Sequence, residues 1–489
     1  MRLKIKSLKF AAGRPVAILN HETAKQLNVH VDDRVLIKKG GESVVAVIDI
    51  AKGLIEKKEI AASQEILEDL KVNSGESVSV ELTFYPESVN FIHKKLNCIP
   101  LNEKELKKII KDIVENALTE AEIAYFVSSI YKCGMSIQEI KYLIKAIVGT
   151  GKRLKLRGKV ADKHSIGGVA GNRTTPIVVS ICASAGLIMP KTSSGAITSA
   201  AGTADAVESL AKVEFSVSQI YKIIKKTNAC LVWGGSLGLA PADDKIIQIE
   251  RLLNLDPEPQ LLASILSKKI AVDSKYVLID IPYGKSAKVS KTEALVLKKK
   301  FEKIARGFKI KIKCVLTDGS HPIGKGIGPV LEIKDVVSVL KQETERPLDL
   351  EQKSLMLSGL ILEMTGKAKK GKGLDFAKKI LQSGKAFSKF KEIIKAQGGH
   401  LNSLRLGKFS HDIESEKSGK ILEIGNKKIN FLARVLGCPV DKGAGIYLYK
   451  NKNDKIKKRE KIMTFYSDSE DKLKEAIKFY RKIQVIKIR

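Results

Sequence analysis

Aromatic residues are scarce in this chain. They make up 5% of 489 residues, with one tryptophan, Trp233. Aromatics do not interleave with the basic runs, so the stacking platforms of a single-strand nucleic-acid binder are missing. Cysteine is also sparse. Cys98, Cys133, Cys182, Cys230, Cys314 and Cys438 are scattered without the paired spacings of zinc sites. This pattern predicts no disulfide framework and a reducing, cytoplasmic setting. Long apolar runs are absent too. The longest, 176–190, is too short to span a bilayer and carries Ser and Gly throughout. The opening MRLKIKSLKF alternates polar and apolar residues, reads as a strand, and lacks the apolar centre of a signal peptide.

Acidic residues are in deficit, 54 against 87 Lys and Arg, for a net charge of +33. The excess is lysine rather than arginine. Readers of phosphate and guanine favour Arg, so the skew fits genome composition or habitat better than a binding code. The present material is ample for burial: 44% of residues are hydrophobic. That excludes wholesale disorder, and the length suggests roughly three domains.

Residues 1–84 read as a small β-rich domain, with short apolar runs such as VAILN and SVVAVIDI broken by Gly, Asp and Asn. Residues 85–160 read as a helical lobe, with part of 240–270 packing on it; Ser136 with Glu139 marks one helix start. Residues 161–410 alternate Gly-rich loops with strands and helices, an α/β texture. Residues 411–489 turn β-rich again. The expected fold class is a multidomain α/β chain.

One segment carries the chemistry. Residues 163–208 hold five charged side chains: Lys163, Arg173, Lys191, Asp205 and Glu208. Two small-residue loops, 165–171 and 193–203, each lead into a helix-like stretch. Glycine lets a backbone approach a ligand, and a helix start offers free N–H groups and a positive dipole end. The hydroxyls of Ser165, Thr174, Ser193 and Thr203 add donors, and Lys163 adds a charge at the mouth. This combination predicts a phosphate pocket. Neither loop has Walker A spacing or the dinucleotide fingerprint.

These residues carry a resemblance. KHSIGGVAGNRTT followed by KTSSGAITSAAGTADAVESL resembles the signature of the thymidine phosphorylase family of nucleoside phosphorylases. The similarity is closer to its archaeal branch, the AMP phosphorylases. WGGSLGLAPADD, LDPEPQLLASILSKKIA, DIPYGKSAKV, HPIGKGIGPVLEIKDV and DKGAGIYLY resemble the same branch, so the likeness runs through nearly the whole chain.

The resemblance implies an active-site cleft between the helical lobe and the α/β domain. It implies phosphorolysis: a nucleoside 5′-monophosphate and inorganic phosphate give free base and ribose 1,5-bisphosphate, in AMP degradation or salvage. AMP is the expected substrate, with CMP and UMP beside it. No cofactor and no metal are implied, phosphate being itself a substrate. The expected partners are those substrates and further copies of the chain, as a homodimer or larger homo-oligomer. Membrane and nucleic acid are not among them.

The reaction asks for an anionic nucleophile held beneath the anomeric carbon and a proton for the departing base. Lys163, Ser165, Thr174, Ser193 and Thr203 match the positions that hold inorganic phosphate. Asp256 matches the proton donor, a role that requires a carboxyl kept protonated by burial or by nearby phosphates. Without the resemblance, Leu255-Asp256-Pro257 is an ordinary turn or helix start. Gly168, Ser194, Gly195, Ala196, Ile197, Thr198, Ser199, Thr203, Ser264 and Lys288 match nucleotide-binding positions. Lys268, four residues after Ser264, shares its helix face and falls on the base side. His164 is expected to orient the pocket beside Lys163. Trp233 is expected to pack rather than stack on a base.

Two positions depart from the family pattern: Gly195 stands where an Arg is usual, and Ala170 where a Pro is usual. The rivals are a pyrimidine nucleoside phosphorylase, a basic nucleic-acid binder, and a degenerate family member with a structural role. The binder is poorly served by the charge distribution: 163–208 nets only +1, whereas 450–489 nets +8.

Overall fold

The structure is a computed structural model that describes residues 1–83, 85–196 and 199–489. It divides into two compact units. One comprises Met1–Thr150 with Pro241–Ala263; the other comprises Gly151–Ala240 with Ser264–Arg489.

The first unit begins with a closed six-stranded barrel. Its strand order is Arg2–Ser7, Glu59–Ala62, Val16–Asn20, Glu42–Ala51, Arg34–Lys39, Ser77–Leu82. The alternation in the opening strand puts Leu3 and Ile5 into the barrel core with Val35, Ile37, Val78 and Val80. Helices Glu87–Leu96, Glu103–Val114, Glu120–Cys133 and Ile137–Thr150 follow. Local signals fix where they start. Asn102 and Glu105, and Thr119 and Glu122, form capping boxes. Ser136 Oγ accepts from Glu139 N at 3.1 Å while Glu139 accepts from Ser136 N at 2.8 Å. Helix Pro241–Leu253 packs on this bundle, and Lys245 Nζ donates to the terminal carbonyls of Ile113 and Val114 at 3.0 Å each. Arg34 of the barrel donates to the Ala117 carbonyl and pairs with Glu122.

The expectation that no cysteines pair is corrected here. Cys98 and Cys133 form a disulfide, with Cα atoms 5.2 Å apart. A separation of 35 residues gives no sign of this in sequence; helix packing creates the proximity. The other four cysteines are free and buried.

The second unit is built on parallel strands. Ala161–Ser165, Tyr276–Tyr283 and Lys311–Asp318 form one sheet with Tyr276–Tyr283 central; Met189–Ser193 and Ala229–Trp233 form a parallel pair. Helix Thr174–Ser184 is buried nearly throughout and packs with Leu348–Met364 and Lys385–Ala396 in one large apolar core. The C-terminal part holds an antiparallel sheet ordered Gly326–Ile327, Gly445–Leu448, Lys461–Ser467, Phe409–Glu414, and a second ordered Lys455–Ile456, Gly419–Ile424, Ile486–Ile488. A strand from the α/β region, Gly326–Ile327, thus joins a sheet of the C-terminal region. Ala170, Ala200 and Ile327 lie in the same apolar cluster as Ile421, Ile429 and Leu432.

Among the described residues, no helix is long and apolar enough to cross a membrane.

Candidate active site

Strand Ala161–Ser165 lies beside the central strand in parallel register, with Lys163 opposite Leu278 and Ser165 opposite Asp280. Successive side chains of a strand point to opposite faces, so Lys163 and Asp280 share one face while Asp162 and His164 share the other.

On the first face, Lys163 is fully buried. This corrects the expectation of a lysine at the pocket mouth: the strand carries it into the interior. Its Nζ donates to Thr174 Oγ1 at 2.7 Å, the first residue of helix Thr174–Ser184. Asp280 sits nearby and is held by Thr317 Oγ1 at 2.6 Å and Lys353 Nζ at 3.0 Å. Burial pushes the Lys163 ammonium down to about 8, against the pull of Asp280. The result is a lysine poised near neutrality under a helix N-terminus, which suits an incoming anion.

On the second face, Asp162 is shared by two buried lysines. Lys269 Nζ reaches it at 2.6 Å and Lys191 Nζ at 3.4 Å. Burial lowers Lys269 to about 7. His164 is half-buried, and burial with the surrounding Lys269, Lys191, Lys268 and Lys163 holds it well below the ordinary imidazole value. It is neutral at physiological pH. Its neutrality suits the orienting role expected of it and removes it as a cationic acid. Across both faces, Lys163, Lys191, Lys269 and Lys353 face two carboxylates, Asp162 and Asp280.

The first loop runs from Ser165, whose Oγ accepts weakly from Gly167 N at 3.5 Å. Gly167, Gly168 and Gly171 all have positive φ. At Gly168 a Cβ would lie 2.7 Å from Lys288 N, so only glycine lets the half-buried Lys288 segment approach so closely. Asn172 N donates to the Ile323 carbonyl at 2.8 Å, and Ile323 N returns to the Ala170 carbonyl at 3.1 Å.

The second loop is closed by one carboxylate. Asp205 Oδ2 accepts from Ala196 N at 2.6 Å and Gly202 N at 2.7 Å. A Cβ on Gly202 would lie 2.6 Å from Gly195 C, so the loop ends touch. Ser193 is half-buried, its Oγ 3.5 Å from the Val232 carbonyl; Ser194 is exposed. Ser199 Oγ donates to the Ala201 carbonyl at 2.8 Å. Thr203 begins the short helix Thr203–Glu208, and its Oγ1 accepts from Arg173 at 2.7 Å. Ile197 and Thr198 lie outside the described residues.

Arg173 connects the loops. It is buried, pairs with Glu332 through Nε at 2.7 Å, and donates to the Ala201 carbonyl at 2.8 Å. Lys163, Ser165, Thr174, Ser193 and Thr203 therefore belong to one unit, with Lys163–Thr174 in direct contact. Ser264 and Lys268 lie on helix Glu258–Ala271, with Lys268 Nζ 3.5 Å from Ser264 Oγ. Asp256 belongs to the first unit, between helices Pro241–Leu253 and Glu258–Ala271, and is exposed. Of the two circumstances named for a protonated carboxyl, burial is thus not provided. Trp233 is 37% exposed rather than packed away, its ring against Gly235.

Sequence reasoning assigned no role to Arg173, Lys191, Asp205, Asp280 or Lys353. The first three had a signal: they are charges in a charge-poor segment. Among the described residues, no group of three His, Cys, Asp or Glu side chains is placed to hold a metal.

Residues 89–151 match the helical bundle domain of a glycosyl transferase family, and 157–387 its a/b domain. Residues 420–487 match the pyrimidine nucleoside phosphorylase C-terminal domain. The crystal structure of anthranilate phosphoribosyltransferase from Thermus thermophilus superposes with a TM-score of 0.53 at 16% identity, over 63% of this chain and 99% of that one, a likeness of fold. The AMP phosphorylase of Methanocaldococcus jannaschii is 42% identical over 477 residues, 97% of this chain and 95% of the relative. That of Pyrococcus furiosus is 42% identical over 494 residues, 100% and 98% respectively. The chain belongs to the AMP phosphorylase family.

Proposed function

We propose that this protein cleaves AMP with inorganic phosphate, giving adenine and ribose 1,5-bisphosphate. The observation that carries the reading is the buried Lys163, held by Thr174 under a helix start and beside two small-residue loops. Inorganic phosphate is assigned to Lys163, Ser165, Thr174, Ser193 and Thr203. The nucleotide is assigned to Gly168, the 194–199 loop, Thr203, Ser264, Lys268 and Lys288.

The C1′–N9 bond breaks and a phosphate oxygen bonds to C1′. Positive charge grows on the ribose and negative charge on the base, so the bound phosphate stabilises the transition state from below. Holding the two substrates in register can supply several kcal/mol by proximity alone. Asp256 gives the proton that leaves with the base, and His164, neutral, orients the pocket. The enzyme works in the cytoplasm as a homodimer or larger homo-oligomer, needs no cofactor, and accepts CMP and UMP beside AMP.

The test is base release from AMP, CMP, UMP, thymidine and uridine, each with and without phosphate. Phosphate-dependent release from AMP is expected. Release from thymidine or uridine alone would favour the pyrimidine nucleoside reaction. Turnover abolished by EDTA and restored by a divalent ion would overturn the metal-free reading.

A further inference from the structure

Helix Asn426–Val435 belongs to the C-terminal part of the second unit, far in sequence from both small-residue loops. It is amphipathic, and its apolar face packs Ile429, Leu432 and Ala433 into the C-terminal core. Two asparagines, Asn426 and Asn430, are buried on that face, one turn apart.

Buried amides must find partners. Asn426 Oδ1 accepts from Ala170 N of the first loop at 3.0 Å. Its Nδ2 donates to the Gly319 carbonyl at 2.9 Å and Ser286 Oγ at 3.1 Å, in the segment that carries Lys288. Asn430 Oδ1 accepts from Ala200 N of the second loop at 2.9 Å. Ala170 and Ala200 themselves are fully buried in the C-terminal core. Each loop thus has one alanine inserted into that core and its amide N–H received by an asparagine.

We infer that Asn426 and Asn430 are positioning residues for phosphorolysis, setting the 165–171 loop and the 193–203 loop respectively from one rigid helix. The inference rests on the assignment of the two loops made under Proposed function. A buried acceptor removed from one loop frees that loop and leaves the other held.

The test is steady-state kinetics of the full-length protein with AMP and phosphate varied separately. Asn430→Ala should raise KM for AMP about tenfold, the equivalent of about 1.4 kcal/mol, and KM for phosphate with it, since Ser193 and Thr203 share that loop. Asn426→Ala should raise both as well, through Ser165 for phosphate and through Gly168 and the Lys288 segment for AMP. Asn430→Asp keeps an acceptor oxygen and should restore most of the lost affinity for AMP. Melting temperatures that fall while both KM values stay put would reduce the asparagines to core filling and overturn the proposal. Failure of Asn430→Asp to lower KM for AMP from its Asn430→Ala value would also overturn it.

A Ser165→Ala variant keeps the two readings apart. If it leaves KM for phosphate unmoved, the loop assignment fails whatever the asparagines do. Hydrogen exchange on the unmodified protein needs no variant to fold. The Ala170 and Ala200 amides should exchange as slowly as helix Asn426–Val435; exchange at loop rates would sink the clamp.

Discussion

The two β-rich ends of the chain invite the same reading from the family resemblance, as domains outside the catalytic motifs that build larger assemblies. Their structures differ. The N-terminal barrel closes on its own strands and fills its own core with Leu3, Ile5, Val35 and Val80. The C-terminal part borrows strand Gly326–Ile327 and takes Ala170 and Ala200 into its core. One end is self-contained, and the other is continuous with the candidate site. Distance from a motif along the chain is therefore a poor guide to distance from the chemistry.

Paired truncations would break this comparison most sharply. Removing residues 411–489 uncovers Ala170, Ala200 and Ile327 and should leave no measurable phosphorolysis. Removing 1–84 should lower particle size, read by light scattering, while turnover stays within about twofold, since a closed barrel exposes no strand edge when it is cut away whole. Loss of activity in the second truncation alone would reverse the comparison.

Asp256→Asn asks whether the first unit contributes chemistry as well as scaffold. Turnover should fall by about 10²–10⁴, the usual cost of a lost general acid, with KM for phosphate largely kept. Near-normal turnover on AMP would remove Asp256 from the mechanism.

The pH dependence sharpens the account of Lys163. Its proton is lost near pH 8 rather than the ordinary 10.5. KM for phosphate should hold steady up to about pH 8 and rise about tenfold per unit above it, as the charged fraction falls. The unfolded chain keeps that proton to about 10.5, so this group makes stability rise with pH between about 8 and 10.5. A flat phosphate KM across that range would mean the ammonium is not what holds the anion.

Gly195→Arg restores the side chain usual in the family. KM for AMP should fall, or kcat/KM rise, by about tenfold, corresponding to about 1.4 kcal/mol. The new Cβ would stand 3.3 Å from Asp205 Oδ1, the carboxylate that closes the loop. Lost activity in a folded Gly195→Arg protein would show that the loop has been rebuilt around the glycine.

Much of this was legible because the signals are local. Alternation in MRLKIKS, the Ser136–Glu139 box and the glycines at 167, 168 and 171 each dictate backbone within a few residues. The charge depletion of 163–208 marks the candidate site in sequence alone. What stayed hidden acts at long range. Asn426 and Asn430 meet amides 256 and 230 residues away, and in NKKINFLARV they read as ordinary polar positions of an amphipathic helix. The Cys98–Cys133 bond depends on how two helices pack. Ala170 illustrates the limit: replacing the usual Pro reads as mild, yet it supplies an N–H that Asn426 receives and that a proline could not offer.

The crowding of Lys163, Lys191, Lys269 and Lys353 around only Asp162 and Asp280 has a consequence for handling the protein. Buried cations in excess repel one another, and an anion bound among them would relieve that repulsion. Resilience to heat should therefore follow the anion content of the buffer. Phosphate at 100 times its dissociation constant would add about 2.7 kcal/mol by mass action. A preparation dialysed free of phosphate would be the protein at its most fragile.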